Sequence, residues 1–390
     1  MSDIKAEAMN NTVLLKNRTD NPLSMIPAGI SLKKINKVGI IGFGTMGIGI
    51  AIEVLRNMQI PVVAKDSQEG LEKGMLFLKR SLEAMKLPVD DMMNLVTATT
   101  EYSDDFKDAD LIIEAVFENY ELKQDIFSNI CAIVSEDCII ASNTSTIPIT
   151  KLSQGVSRPE RFIGAHFFSP VPKMELLEII KGKNTSQDTI YNLTAFAAAI
   201  KKRPLVCNDS PGFVVNALLL PYFQIAFQLL QKGVPIEDID GAMMEFGLPV
   251  GPVRLVEEVG IDIPYNSFYS VGLTPPEPVK IMVENNRLGH KKSGRGFFLK
   301  DGRVDPEALE LIPIEKQSDS LDRNQIQEIL FEAFVQKGKE LLDHQIISNP
   351  GDVDLGTIWG LGFPAGKGGP LKWADLTGVS EKFFGKKFYK

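Results

Sequence analysis

Lys37-Val38-Gly39-Ile40-Ile41 runs straight into Gly42-Phe43-Gly44-Thr45-Met46-Gly47. The first five residues form a short, largely apolar run of the kind that makes a buried parallel strand. A helical stretch follows from Gly49 to about Asn57, and Ile60-Pro61-Val62-Val63-Ala64 reads as a second strand ending at Asp66. Three glycines at this spacing, entered from a strand and left by a helix, point to a dinucleotide-binding βαβ unit. Gly42 permits the tight turn, Gly44 lets backbone amides approach a pyrophosphate, and Gly47 lets the helix pack on the strand. Thr45 and Met46 lie in the same turn, and the helix start presents unpaired N–H groups and a positive dipole end to the phosphates. Asp66 lies 24 residues after Gly42. A carboxylate there accepts hydrogen bonds from ribose hydroxyls and repels a 2′-phosphate, which favours NAD over NADP; Lys65 beside it softens that preference. The alternative is a glycine-rich turn that binds no dinucleotide, and the coincidence of strand, glycines, helix and Asp66 argues against it.

Further strands are expected at Leu111-Ile112-Ile113 and Cys138-Ile139-Ile140-Ala141, with helical patterns between them. Such alternation implies an α/β domain of Rossmann type with a parallel sheet. From about Ser210 the strand signal stops, and Phe213 to Lys232 reads as one long helix. The expected organisation is an N-terminal extension (1–34), a NAD-binding domain (35–208), a first helical domain (209–302), a linker rich in charge and proline (303–324) and a second helical unit (325–390). The helical half repeats itself. Asp238-Ile239-Asp240, Phe246-Gly247-Leu248-Pro249 and Gly251-Pro252 are echoed by Asp352-Val353-Asp354, Leu361-Gly362-Phe363-Pro364 and Gly369-Pro370, and Glu257 and Asp375 fall at matching offsets.

Charge and composition exclude several classes. Lys+Arg total 42 against 50 Asp+Glu, a net charge of -8 that disfavours binding to nucleic-acid backbones. Cys131, Cys138 and Cys207 are too few for a secreted disulfide framework, and their spacing matches no common zinc set, so no metal is expected. No run of eighteen apolar residues offers a membrane span, and residues 1–32 lack a secretory or transit pattern, so the expected location is cytoplasmic.

Only three histidines, His166, His290 and His344, are available for histidine chemistry. Arg161 to Phe168 reads as a strand, Ser169-Pro170-Val171-Pro172-Lys173 as a turn, and Met174 to Ile180 as a second strand. If the two pair about Pro172, residues whose numbers sum to 344 face one another, and His166 and Glu178 do so. Cross-strand neighbours share a face, and a carboxylate beside an imidazole orients it as a general base requires. The alternative is a core histidine and a strand-edge charge, and the residues alone leave both open.

With these segments in view, the chain resembles the (S)-3-hydroxyacyl-CoA dehydrogenases of fatty acid β-oxidation over roughly residues 36 to 380. The resemblance is carried by Gly42 to Ala51, Glu114 to Lys123, Ser142-Asn143-Thr144-Ser145, His166-Phe167-Phe168-Ser169-Pro170, Glu178, Pro211-Gly212-Phe213-Val214-Val215-Asn216 and Lys291 to Phe298. It implies oxidation of a 3-hydroxyacyl-CoA with NAD, His166 as base and Glu178 as its partner. Ser145 and Asn216 resemble residues that hydrogen-bond the reacting substrate, and Ser145 also belongs with the cofactor contacts. Glu118, Lys123 and Lys292 resemble contacts to the nicotinamide half of NAD. Bland alternatives are a helix cap for Ser145, a helix-start hydrogen bonder for Asn216 and a solvated helix face for Glu118 and Lys123. Ser169 stands where many members have Asn, so a cofactor hydrogen bond there needs rearrangement or a water. Ala217 replaces a frequent Arg and Glu257 a usual Asp. Ser81 with Lys86 is a candidate for the CoA nucleotide, with an ordinary polar helix face as the alternative.

The duplicated helical unit resembles the dehydrogenase portion of multifunctional β-oxidation enzymes, whose hydratase domain has no counterpart in the 34 or so residues before the first strand. The resemblance implies a stand-alone dehydrogenase, monomeric or homodimeric; a further reading makes it a subunit of a complex with separate hydratase or thiolase proteins, with residues 1–34 as the contact segment. The rival readings are a 3-hydroxy acid dehydrogenase acting without CoA and a non-catalytic binding protein on the same scaffold.

Overall fold

The computed structural model describes residues 2–315 and 321–389. Two compact units divide it: residues 14–213, and residues 1–13 together with 214–390.

The first unit is built on one eight-stranded sheet: β1 (Val38–Ile41), β2 (Val62–Lys65), β3 (Val96–Thr99), β4 (Leu111–Glu114), β5 (Ile139–Ser142), β6 (Phe162–Phe167), β7 (Leu176–Lys181) and β8 (Arg203–Asn208). The order is β3-β2-β1-β4-β5-β6-β7-β8. Every pair is parallel except β6–β7, which forms the antiparallel hairpin. The chain leaves β1 towards β2 on one side and returns through β4 on the other. That reversal opens a crevice at the carboxyl ends of the strands, where ligands of such sheets bind. β1, β4 and β5 are buried along their whole length, which explains their continuous apolar runs.

The helix after β1 spans Thr45–Met58, four residues earlier than the expected Gly49 start. Its glycines are required by close packing. A Cβ on Gly47 would lie 1.9 Å from the Gly42 carbonyl oxygen, and one on Gly49 would lie 2.8 Å from Val171. Two strands have no counterpart in the expected set. β3 is an edge strand whose ends alone are half-buried, and β8 carries Pro204, which an edge strand tolerates but which interrupts a strand pattern.

The helical unit differs from the expected division in three respects. Its two repeats form one body, because the long helices Val215–Gln231 and Arg323–Asp343 pack together, with the Tyr222 and Phe334 rings 4.6 Å apart. The N-terminal extension is not a loose contact arm. Residues 2–20 form one helix, in which the buried Asn11 donates to the Gly368 carbonyl at 2.7 Å and the Thr12 hydroxyl to the Ala365 carbonyl at 2.6 Å. Its later residues Thr19 and Asp20 belong to the sheet unit and pair with Arg203 within it, at 2.8 and 2.7 Å. The expected linker is also packed as far as it is described: Asp305 caps the short helix Pro306–Glu310 and binds the buried Arg287, and Ala308 and Ile312 are buried. Residues 316–320 of that linker lie outside the described residues.

The duplicated residues perform the same work twice. Asp240 accepts the Val253 and Arg254 amides at 2.8 and 3.0 Å, and Asp354 accepts those of Leu371 and Lys372 at 2.8 and 3.1 Å. Each carboxylate thus holds the start of a Gly-Pro helix. The glycine leaves room for it, since a Cβ on Gly251 or Gly369 would lie 2.4 or 2.2 Å from the aspartate's Cβ. Burial pushes the Asp240 carboxyl up to about 6 and the Asp354 carboxyl up to about 7, against these donors. Glu257 and Asp375 likewise tie down the ends of their repeats, accepting from Phe297 at 2.8 Å and from Phe388 and Tyr389 at 2.9 and 2.8 Å. Glu257 in place of the usual Asp therefore keeps a backbone-holding role. Among the described residues no helix is long and apolar enough to cross a membrane.

Candidate functional site

The glycine turn sits at the end of β1. Gly42 has φ +95, a conformation that favours glycine. Around a Cβ built on Gly44 there is nothing within 4 Å, so the backbone at this point faces open space. Thr45 and Met46 open the helix, where the first amides have no partner within the helix. This cradle fits a pyrophosphate. Beyond it lies a cavity of about 410 Å³, whose walls include Gly44, Thr45, Asp66, Lys73, Phe77 and Phe117.

Asp66 stands at the end of β2 with its carboxylate shaped by the turn. One oxygen accepts the Phe43 amide and the other the Ser67 amide, both at 2.7 Å. Gly70 must be glycine for this, since a Cβ there would lie 2.6 Å from Asp66 Oδ1. The Lys65 ammonium is held over the Tyr102 ring, 4.2 Å from its centroid, and not against Asp66. We expect Asp66→Asn to weaken NADH binding by about tenfold, the worth of one charge-assisted hydrogen bond, and to narrow the gap to NADPH. Titration of both nucleotides by fluorescence measures it; unchanged affinities would remove Asp66 from the site. Three wall residues, Lys73, Phe77 and Phe117, escaped the sequence reading. Phe117 is 89% exposed, and its position next to Glu118 was the available signal.

A second layer lies between β4 and β5. Glu118 is no solvated helix residue: it precedes the helix Tyr120–Cys131, and its Oε1 accepts the Thr144 hydroxyl at 2.6 Å, the Ser145 amide at 2.9 Å and the Thr146 amide at 3.0 Å. Ser145 is half-buried in this loop. Lys123 is no solvated helix residue either. It is 1% exposed, and its ammonium lies 2.6 Å from Glu114 and 3.3 Å from Glu118. Asn143 ties the loop to the hairpin by accepting the Phe167 amide at 2.9 Å.

The hairpin has the register expected of it, with His166 opposite Glu178. His166 Nδ1 lies 2.7 Å from Glu178 Oε2; the histidine is 6% exposed and the glutamate fully buried. Nδ1 donates to the carboxylate, so Nε2 carries the lone pair and the capacity to take a proton. The Phe168 and Phe213 rings flank the imidazole, their centroids at 4.6 and 5.8 Å. Ser169 follows, exposed, with a cis peptide to Pro170.

The remaining site residues lie elsewhere. Asn216 is half-buried in the first turn of the helix Val215–Gln231, in the helical unit. Lys292 belongs to that unit too, and its ammonium is held by both Asp262 oxygens, at 2.8 and 2.7 Å. Ser81, in the helix Gln68–Ala84, donates its hydroxyl to the Phe77 carbonyl at 2.8 Å and is not a wall of the cavity; Lys86 lies in the turn after that helix, with φ +56. Among the described residues no cluster of His, Cys, Asp and Glu could hold a metal.

Residues 37–210 match the family model of the 3-hydroxyacyl-CoA dehydrogenase NAD binding domain, and residues 212–300 that of the 3-hydroxyacyl-CoA dehydrogenase C-terminal domain. The fatty acid oxidation complex subunit alpha of Shewanella putrefaciens is 37% identical over 372 residues, 90% of this chain. The chain spans about half the length of that relative, 52%. Among solved structures, (S)-3-hydroxybutyryl-CoA dehydrogenase from Ralstonia eutropha is 39% identical with a TM-score of 0.62, over 67% of this chain and 98% of that one. The dehydrogenase part of multifunctional enzyme 1 from C. elegans is 25% identical with a TM-score of 0.65, over 92% and 88%.

Proposed function

The chain belongs to the 3-hydroxyacyl-CoA dehydrogenase family, and from that premise we propose that it oxidises (S)-3-hydroxyacyl-CoA to 3-oxoacyl-CoA with NAD. The observation that carries the reading is the buried His166–Glu178 pair at 2.7 Å, in the same sheet as a glycine turn built for a dinucleotide.

Oxidation of a secondary alcohol removes a hydride from carbon and a proton from oxygen. Bound NAD supplies the hydride acceptor. His166 Nε2 takes the hydroxyl proton as the C–H bond breaks, and becomes an imidazolium. Glu178 fixes the ring's tautomer and stabilises the cation it becomes; its burial strengthens both effects. Ser145 and Asn216 are assigned hydrogen bonds to the substrate's oxygens, which orient C3 for transfer. The Gly42–Gly47 turn holds the pyrophosphate and Asp66 the adenosine ribose.

The test runs the reaction backwards. NADH consumption with acetoacetyl-CoA should exceed that with acetoacetate by orders of magnitude. Equal turnover would shift the reading to a dehydrogenase of free 3-hydroxy acids, and no turnover with any 3-oxoacyl-CoA to a binding role. We also propose a cytoplasmic location and association with separate hydratase or thiolase proteins, the association supported by a relative named as a complex subunit. Co-purification from cells checks the association.

A further inference from the structure

Buried charges stand behind the 142–146 loop. Glu114 is fully buried at the end of β4, and Lys123 nearly so in the helix Tyr120–Cys131. A buried ion pair is weak support for stability, since apolar residues of like volume often serve as well. Its contacts point to another purpose. Glu114 is fixed on three sides: Oε1 accepts the Val116 amide at 2.7 Å and the Lys123 ammonium at 2.6 Å, and Oε2 accepts the Ser142 hydroxyl at 2.6 Å. The anchored ammonium lies 3.3 Å from Glu118 Oε2. The other oxygen of Glu118 gathers four donors, the three from Thr144, Ser145 and Thr146 given above and the Thr146 hydroxyl at 3.2 Å. So many donors on one oxygen suit a carboxylate and not a neutral acid.

We infer that Glu114 and Lys123 are positioning residues that act through Glu118: the ammonium, anchored by Glu114, holds Glu118 ionised and aimed, and Glu118 clamps the loop that carries Ser145. The inference rests on the proposed reaction only in giving Ser145 a substrate to hold. Burial pushes the Glu118 carboxyl up, but Lys123, the Thr144 hydroxyl and the Ser145 and Thr146 amides together hold it below the usual carboxylate range. The charged group that the helix turns towards Glu118 is Lys123, with Glu114 of β4 behind it; the loop brings hydroxyls and amides.

The sign of the pH effect follows. In the native protein Glu118 keeps its charge to a lower pH than an ordinary carboxylate does. Without Lys123 the largest lowering influence is gone, burial prevails, and Glu118 takes up a proton at a higher pH. The clamp is then lost at low pH and restored as pH rises.

Lys123→Met tests this in the full chain. Amide hydrogen exchange at Ser145 and Thr146, referred to the native protein at the same pH, should speed up about tenfold or more at the acid end of the range in which the variant stays folded and approach the native rate at its alkaline end. Over the same range kcat with acetoacetyl-CoA should fall about 10- to 100-fold at the acid end, the cost of a loosely placed group, with KM changed far less. Glu114→Gln/Lys123→Met removes the second carboxylate and should recover part of both losses, which a purely structural role would not give. If Lys123→Met fails to fold, Glu118→Gln serves instead and should loosen the same amides at every pH. Native exchange in Lys123→Met at low pH, or in Glu118→Gln, overturns the inference. Were the native protein inactive on acetoacetyl-CoA while exchange followed this pattern, the reaction would fall and the clamp would stand.

Discussion

Replacing His166 with Gln lowers kcat for acetoacetyl-CoA reduction by about 10²- to 10⁴-fold, the usual worth of a positioned acid–base group, and leaves NADH affinity nearly unchanged. Gln fills a similar volume and can hydrogen-bond, but it cannot carry a proton between pH 5 and 8, where imidazole can. In the proposed reaction run in reverse, His166 would donate the proton that the new alkoxide needs. The affinity should hold because the cofactor's cradle is made by other segments, the turn at 42–47 and Asp66, while His166 lies on β6. A loss of NADH binding equal to the loss of rate would place His166 in the cofactor site and leave the base unassigned.

Glu178→Gln is the second large effect, about 10²-fold or more in kcat. The carboxylate is fully buried and only 2.7 Å from Nδ1. Its replacement by an amide removes the negative charge opposite the imidazolium. An amide can also present its NH₂ to Nδ1, which would turn the ring to the tautomer with its proton on Nε2, the wrong one for a base. Because the two side chains act as a unit, His166→Gln/Glu178→Gln should be little worse than His166→Gln alone. Additive losses would mean that Glu178 works independently of the ring. Thermal unfolding of each variant separates these effects from destabilisation, since the Gln replacements keep side-chain volume.

Much of the site was legible because it is local. The glycine turn, its strand and its helix lie within a few residues of one another, and the hairpin register follows from counting outward from Pro172, which places His166 opposite Glu178. The repeat was legible for the same reason: Asp240 and Asp354 each cap a helix that starts at the next Gly-Pro. What escaped depends on distant partners. Lys123 resembles a cofactor contact, with a solvated helix face as the alternative, and only the packing of β4 beside β5 encloses it between Glu114 and Glu118. Asn11 is one polar residue in a polar extension, and its partners Gly368 and Asp354 are some 340 or more residues away. Lys292 has a carboxylate partner, Asp262, 30 residues before it, which the resemblance did not foresee. The edge strands β3 and β8 lack the apolar runs of the central ones, since their burial is partial and Pro204 interrupts the pattern.

A single-turnover measurement on enzyme saturated with NADH, mixed rapidly with acetoacetyl-CoA, follows the chemical step apart from binding and release. With the base at His166, the native protein should oxidise its bound NADH in one fast phase, and His166→Gln, equally loaded, should do so about 10²- to 10⁴-fold more slowly. Identical single-turnover rates in the two proteins would contradict the account.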